Sequence, residues 1–326
     1  MGAIQGQDYA GGEWSIGIRL PGSNLGTIEE AIAEAKIVRT WGLRGTLHFL
    51  TGRDIRWILA LLAPGIVSRL ARRYGELELD GRTISKAESI LAKSLEGNRH
   101  LTRNELVAIL ERKKISCRGQ RAVFILHRAS LDRIICFGIT RGKQQTHTLF
   151  DEWVPASKSR TNDESLSELA LRYFTSHGPA TTRDFMWWSG LRAGESTRAL
   201  EMSKRKLVPM TLEGKTYWMS DNRTTTGKNP ETIHLLPPFD EFIFGYKDRQ
   251  ASIMPEYAGR LRGGGMPDQT IMCDGKLAGR WERSLKKHTV SVRTTPFIPF
   301  NRKQKSALRV ALERYGDFIG KKFEAL

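Results

Sequence analysis

TRNELVAILERKKISCRGQRAVFILHRASLDRIICFGITRGKQQTHTLF, residues 102–150, is the stretch on which the fold turns. Thr102 opens it as a helix cap, and Leu106, Val107, Ile109 and Leu110 then fall at helical spacing through Glu111. A second helix is expected over 116–129, carrying Arg118, Arg121 and Arg128. Residues 131–137 read as a strand, 138–145 as a loop holding Arg141, Gly142 and Lys143, and 146–150 as the returning strand. Helix, helix and a hairpin with a basic tip is the shape of a DNA-binding winged helix. In that reading Arg118, Arg121, Arg141 and Lys143 meet phosphates, contacts that position a duplex without reading its sequence. The plainer alternative is an ordinary surface hairpin.

Working outward, an amphipathic helix is expected over 86–96, and the polar run 155–162 reads as a linker. Beyond it the pattern recurs. Residues 165–176 form a helix, His177-Gly178-Pro179 stops it, Thr182 caps 184–188, and 194–202 form a third helix. Residues 206–219 then make a hairpin that turns at Glu213-Gly214. Trp187 and Trp188 read as packing anchors rather than a base-stacking platform. After 222–230 the composition shifts to short alternating strands at 269–273, 277–283 and 289–292, closed by a helix over 301–319. That pattern suggests a small barrel or curled sheet. Asp240 and Glu241, next to Pro237-Pro238, read as a cap or turn pair rather than catalytic carboxylates.

The start of the chain carries Gln5-Gly6-Gln7-Asp8, with Gly11-Gly12 expected to stop any helix soon after. Gly6 has the freedom to let both amides converge on one small object, since an amide can orient water or face positive charge. The plainer reading is two polar residues at a helix terminus. A helix follows at 27–37, with Thr27 to Glu30 as its capping box, then a strand at 45–50 and a helix from Thr51 that ends before Pro64. Arg39, Arg44 and His48 form a basic trio around Trp41, either a phosphate-contacting edge or solvated strand residues.

Composition narrows the possible partners. The chain has 326 residues, 40% of them hydrophobic, which suits two or three ordinary domains and excludes global disorder. A formal charge of +17 and a pI near 10.0 point to a polyanion, most often nucleic acid. No apolar run reaches the ~18 residues of a membrane span. No signal peptide opens the chain, and Gly6 stands where a myristoylation signal needs Ser or Thr. The three cysteines, Cys117, Cys136 and Cys273, are odd in number and widely spaced, which fits a reducing, cytoplasmic setting. No zinc, iron–sulfur, Walker or dinucleotide pattern occurs, so neither a metal nor a cofactor is expected.

Three segments, RTWGLRGTLHFL (39–50), HGPATTRDFMWWSGL (177–191) and LLPPFDEFIFGYKDR (235–249), resemble the winged-helix DNA-binding family that includes the AlkZ-like DNA glycosylases. The similarity covers nearly the whole chain. It implies an α+β fold of tandem winged-helix domains with a small C-terminal antiparallel β-barrel, arranged as a C-shaped basic groove. The implied domains are 1–85, a first winged helix incomplete at its N-terminus, then winged helices at 86–155 and 163–222, and a barrel with a closing helix at 230–326. The resemblance also places Gln5 and Gln7 where the family carries a Gln-x-Gln pair. It departs from the pattern at Gly6, where an apolar residue is usual and the pair is expected to be looser.

The implied activity is monofunctional hydrolysis of the N-glycosidic bond of cationic N-alkylated purines in duplex DNA, crosslinks included. Gln5 and Gln7 would hold the attacking water, and Asp8 would add negative charge nearby. Arg39, Arg44, His48, Arg118, Arg121, Arg141 and Lys143 would contact the DNA backbone independently of sequence. The rival reading is a non-enzymatic winged-helix regulator using the same groove. It would prefer one sequence, whereas a glycosylase would bind any duplex with strong salt dependence.

Overall fold

The computed structural model describes residues 1–221, 232–261 and 268–324. The connector expected at 222–230 lies outside these. The chain opens with β1 (Ile4–Gln5), α1 (Tyr9–Arg19), α2 (Leu25–Ala33), β2 (Ile37–Trp41), β3 (Leu47–Thr51), α3 (Ile55–Arg69) and α4 (Ala71–Glu76). The strands form an antiparallel sheet in the order β1-β3-β2, with Gln5 opposite His48 and Arg39 opposite Phe49.

Three local expectations give way here. Helix α1 runs through Gly11 and Gly12 instead of stopping at them. A Cβ on Gly12 would lie 2.5 Å from Phe49 Cε2, so the helix crosses β3 at a distance only glycine allows. That close packing outweighs the ~1 kcal/mol each glycine costs a helix. Helix α2 is capped by Asn24, whose side chain accepts from Thr27 N while the Thr27 hydroxyl accepts from Asn24 N, both at 3.0 Å. Pro64 sits inside α3, because Ile58, Leu59, Leu62 and Ile66 bury that helix on both sides of the missing N–H.

Next come α5 (Gly81–Leu95), β4 (Leu101–Thr102), α6 (Arg103–Arg112), α7 (Arg121–Leu131), β5 (Ile135–Arg141), β6 (Gln144–Leu149) and α8 (Phe150–Trp153). Thr102 and Glu105 make a reciprocal capping box at the start of α6. Helix α7 begins later than expected because Gly119 takes φ +58°, which no right-handed helix accommodates. Arg118 therefore lies in the preceding turn. The hairpin β5–β6 gains β4 as a third strand, in the order β4-β6-β5.

The next stretch holds α9 (Asn162–His177), α10 (Thr182–Ser189), α11 (Ala193–Ser203) and the hairpin β7 (Val208–Leu212) with β8 (Lys215–Met219). The cap of α10 is Thr181, one residue before the expected Thr182. The last stretch holds β9 (Ile233–Leu236), α12 (Glu241–Phe244), α13 (Pro255–Ala258), β10 (Thr270–Cys273), β11 (Lys276–Leu285), β12 (Thr289–Pro296), α14 (Arg302–Phe318) and β13 (Lys322–Glu324). Its sheet runs β13-β12-β11-β10-β9, with β13 and β9 at its edges among the described residues. It is a half-barrel, the curled-sheet form of the small barrel or curled sheet expected, with one parallel pair in place of a wholly antiparallel order. The β12–β13 pair is parallel, because α14 carries the chain back to the far end before β13 starts.

The fold is α+β, and its cores tie distant parts of the chain together. Trp14, Ile28 and Ile32 of α1 and α2 pack with Leu235, Trp281, Tyr315 and Phe318 from the last stretch. The Trp14 indole donates to Leu235 O at 2.7 Å, and Arg314 donates to Ile18 O at 2.7 Å. Helices α3, α9 and α10 share a second core with Ile58, Leu59, Tyr173, Phe174 and Trp188 fully buried. Helices α5, α6 and α7 enclose a third. Among the described residues, no helix is long and apolar enough to cross a membrane.

Candidate active site

The glutamine segment links the edge strand β1 to helix α1. Gly6 N–H continues the ladder by donating to Leu47 O at 2.8 Å, and Arg39 Nε donates to Gly6 O at 2.8 Å. A Cβ on Gly6 would sit 3.2 Å from Phe49 Cδ2, so the glycine is seated tightly against β3. Its N–H and its carbonyl are thus both hydrogen-bonded.

The two amides converge on the turn that enters β3. Gln5 is buried, and the orientation that satisfies its amide has Oε1 accepting from Arg44 Nη2 at 2.8 Å and Thr46 Oγ1 at 3.3 Å. Its Nε2 then donates to Leu47 O at 3.1 Å. Gln7 is exposed, and its Oε1 accepts from Leu47 N at 3.3 Å. One amide is thus fixed inside and the other stands at the surface, two residues apart on the same turn.

Arg44 connects this turn to a cleft. It takes a left-handed φ of 58° in the short 3-10 turn Leu43–Gly45 and donates to Trp188 O. With Arg69, Arg183, Arg192 and Lys247 it lines a cleft of about 500 Å³, in which the Lys247 ammonium lies 4.6 Å from the Trp187 ring centroid. Five cations around one opening make a site for a polyanion. Trp188 is fully buried, as the packing reading expects, whereas Trp187 is partly open to the cleft.

The expected DNA contacts divide. Arg118, Arg141 and Lys143 are exposed, with Arg141 also engaging Glu105 at 3.0 Å and His100 O at 2.6 Å. Arg121 is half-buried, and its guanidinium serves the carbonyls of Ser116, Leu77 and Glu78. Arg39 and His48 are inside and do not face solvent, which corrects their expected role as phosphate contacts. The register explains this, since Thr40 faces His48 in the sheet and Arg39 is covered by the Tyr9 and Phe137 rings. Burial, and then the nearby Arg44, push the His48 imidazole down to about 4, so it is neutral at physiological pH.

Carboxylates around the segment carry the functions least visible in the sequence. Asp240 caps α12 through Phe242 N and receives Ser15 Oγ at 2.5 Å and both Arg19 Nη atoms at 2.9 and 2.7 Å. Glu241, 1% exposed, accepts Gln5 N–H at 3.0 Å on Oε1 and Trp188 Nε1–H at 2.9 Å on Oε2. Burial would raise its carboxyl, but His177 and Arg44 outweigh it and hold the group below the ordinary value. Glu13 on α1 behaves oppositely. Burial first, then Glu29 and Asp8, push it up to about 8, and its Oε1 has no hydrogen-bond partner among the described residues. The cap or turn reading of the adjacent acids fits Asp240 but not Glu241, and Arg69, Arg183, Arg192 and Lys247 are not singled out as contacts in the sequence, although Arg183 and Lys247 lie within the resembling segments. No cluster of three or more His, Cys, Asp or Glu side chains suited to a metal occurs among the described residues.

A turn that carries one buried and one exposed glutamine amide, beside a cationic cleft, suits a protein that works on a polyanion. The pattern of one enzyme family, described as DNA glycosylase AlkZ-like, matches residues 1–318, and the chain belongs to that family. It is 24% identical to an interstrand DNA cross-link repair glycosylase of Streptomyces sahachiroi, over 86% of this chain and 79% of that one. The structure of the DNA glycosylase AlkZ from the same organism superposes with a TM-score of 0.78 at 21% identity, covering 99% of this chain and 91% of that one.

Proposed function

We propose that this DNA glycosylase hydrolyses the N-glycosidic bond of cationic N-alkylated purines in duplex DNA, with Gln5 and Gln7 positioning the water. The observation that carries the reading is the convergence of both amides on Thr46-Leu47, next to the cationic cleft. An N3- or N7-alkylated purine already carries positive charge and leaves readily. The water oxygen bonds to C1′ as the C1′–N bond breaks, its electron pair neutralises the purine, and the proton passes to solvent. The enzyme has only to orient the water and tolerate an oxocarbenium-like sugar, which fixed amide dipoles do.

The name of the S. sahachiroi relative supports extending the substrates to interstrand crosslinks. The helix–hairpin units at 86–155 and 163–222 are read as winged helices, with 1–85 a further, partial one and 230–326 the half-barrel domain. Together they would line a C-shaped groove in which Arg118, Arg141 and Lys143 meet phosphates regardless of sequence. The test is base release from a duplex carrying N7-methylguanine and strand separation of a crosslinked duplex. The chain should act and Gln5→Ala/Gln7→Ala should bind but not act. Inactivity of the parent chain on both substrates, with duplex binding intact, would reject the reading in favour of a DNA-binding regulator.

A further inference from the structure

We propose that Glu241 is a positioning residue for Gln5, holding the reactive amide in place through its backbone N–H. The inference rests on the glutamine-pair reading above. Strand β1 is two residues long and forms one edge of its sheet. Its ladder partner β3 lies on one side only, so the Gln5 N–H needs an acceptor from elsewhere. The acceptor is Oε1 of Glu241, 236 residues further along the chain. The second oxygen is anchored to the Trp188 indole, and His177 Nε2 lies 3.5 Å from it. His177 is in turn stacked on Tyr173, with ring centroids 4.6 Å apart. The carboxylate is therefore fixed before it fixes Gln5.

The side chain of Gln5 has an anchor of its own. Arg44 Nη2 meets Gln5 Oε1 at 2.8 Å, and its Nη1 donates to the carbonyl of Trp188, whose indole in turn holds Glu241 Oε2. A buried carboxylate thus steadies the main chain of Gln5 directly, while Arg44 steadies its amide. Such a group touches neither water nor sugar, and it acts only by keeping Gln5 within the narrow tolerance that catalysis needs.

The experiment compares the full chain with Glu241→Gln, Glu241→Asp, Gln5→Ala and the Glu241→Gln/Gln5→Ala double variant. The readouts are single-turnover base release, duplex affinity at fixed salt, and melting temperature. The substrate is the N7-methylguanine duplex or the crosslinked duplex, whichever the parent opens. Glu241→Gln should release base on the order of 10²-fold more slowly, with duplex affinity unchanged. The double variant should be no slower than Gln5→Ala alone, because both lesions act through one amide. Glu241→Asp, which keeps the charge but withdraws it, should fall between and serves if the Gln variant does not fold. Multiplicative losses in the double variant, or Glu241 variants at the parent rate while Gln5→Ala is impaired, overturn the role of Glu241 alone. A fully active Gln5→Ala, or a parent inactive on both substrates, overturns the glutamine-pair reading and this proposal with it.

Discussion

Arg39 and Gly6 are joined across the N-terminal sheet by a 2.8 Å hydrogen bond from a largely buried guanidinium. The arginine lies 4.6 Å from the Phe137 ring centroid and 5.5 Å from that of Tyr9. Burial draws its pKa down to about 10, still well above physiological pH, so it remains a cation. Replacing it with Met should leave the Gly6 carbonyl unsatisfied and cost about 1–3 kcal/mol of stability. Base release should fall as well. The slope of log affinity against log salt should stay as in the parent, since no phosphate contact is lost. A shallower slope would return Arg39 to the DNA interface.

The cleft residues should behave in the opposite way. Arg183 and Arg192 are exposed at its rim. Changing either to Ala should weaken duplex binding about equally for every sequence. Each should reduce the salt slope by about 0.9, the release of one counterion. Titrations of two unrelated duplexes at several salt concentrations check this, and a sequence-selective loss would contradict it.

Glu13 makes stability depend on pH. Its ordinary value is 4.5 and its folded value is about 8, so between these the folded state binds more protons than the unfolded state. Stability should therefore fall as pH rises through that window. Glu13→Gln keeps the shape without the titration. The variant should show a flatter decline from pH 5 to 8 and exceed the parent in denaturant midpoint at pH 8. Parallel declines in the two proteins would count against it.

Gly12→Ala tests the crossing of α1 over β3. In an isolated helix alanine is favoured by about 1 kcal/mol. Here the new methyl would collide with Phe49, so a net loss of about 1–3 kcal/mol is expected from overpacking. Urea unfolding measures it, and a stabilised variant would show that Phe49 moves freely.

What the sequence made legible was local. The capping box at Thr102, the helices of the repeated units and the Glu213-Gly214 turn all follow from short-range rules, and they appear close to where those rules put them. Long-range packing decided the rest. Gly11-Gly12 and Pro64 look like helix stops, yet Phe49 and the core around α3 carry the helices through them. Arg39 and His48 look like surface cations because nothing nearby announces that Tyr9, Phe137 and the sheet will cover them. Glu241 looked like a turn residue, since its two partners, Gln5 and Trp188, are remote in the chain. The glutamine pair itself came from resemblance rather than from local chemistry.

The packing of α1 and α2 against the last stretch has a consequence for how the protein is made. A ribosome releases Gln5 long before it has synthesised Leu235, Glu241 or Tyr315, the residues that give the opening segment its shelter and its acceptor. Nascent chains halted before these residues would contain both glutamines but lack that shelter. Contacts of such high sequence separation also slow folding. The sheltered glutamine turn therefore belongs to the finished molecule alone, and an incompletely translated chain that still binds DNA would lack the framework that holds Gln5 in place.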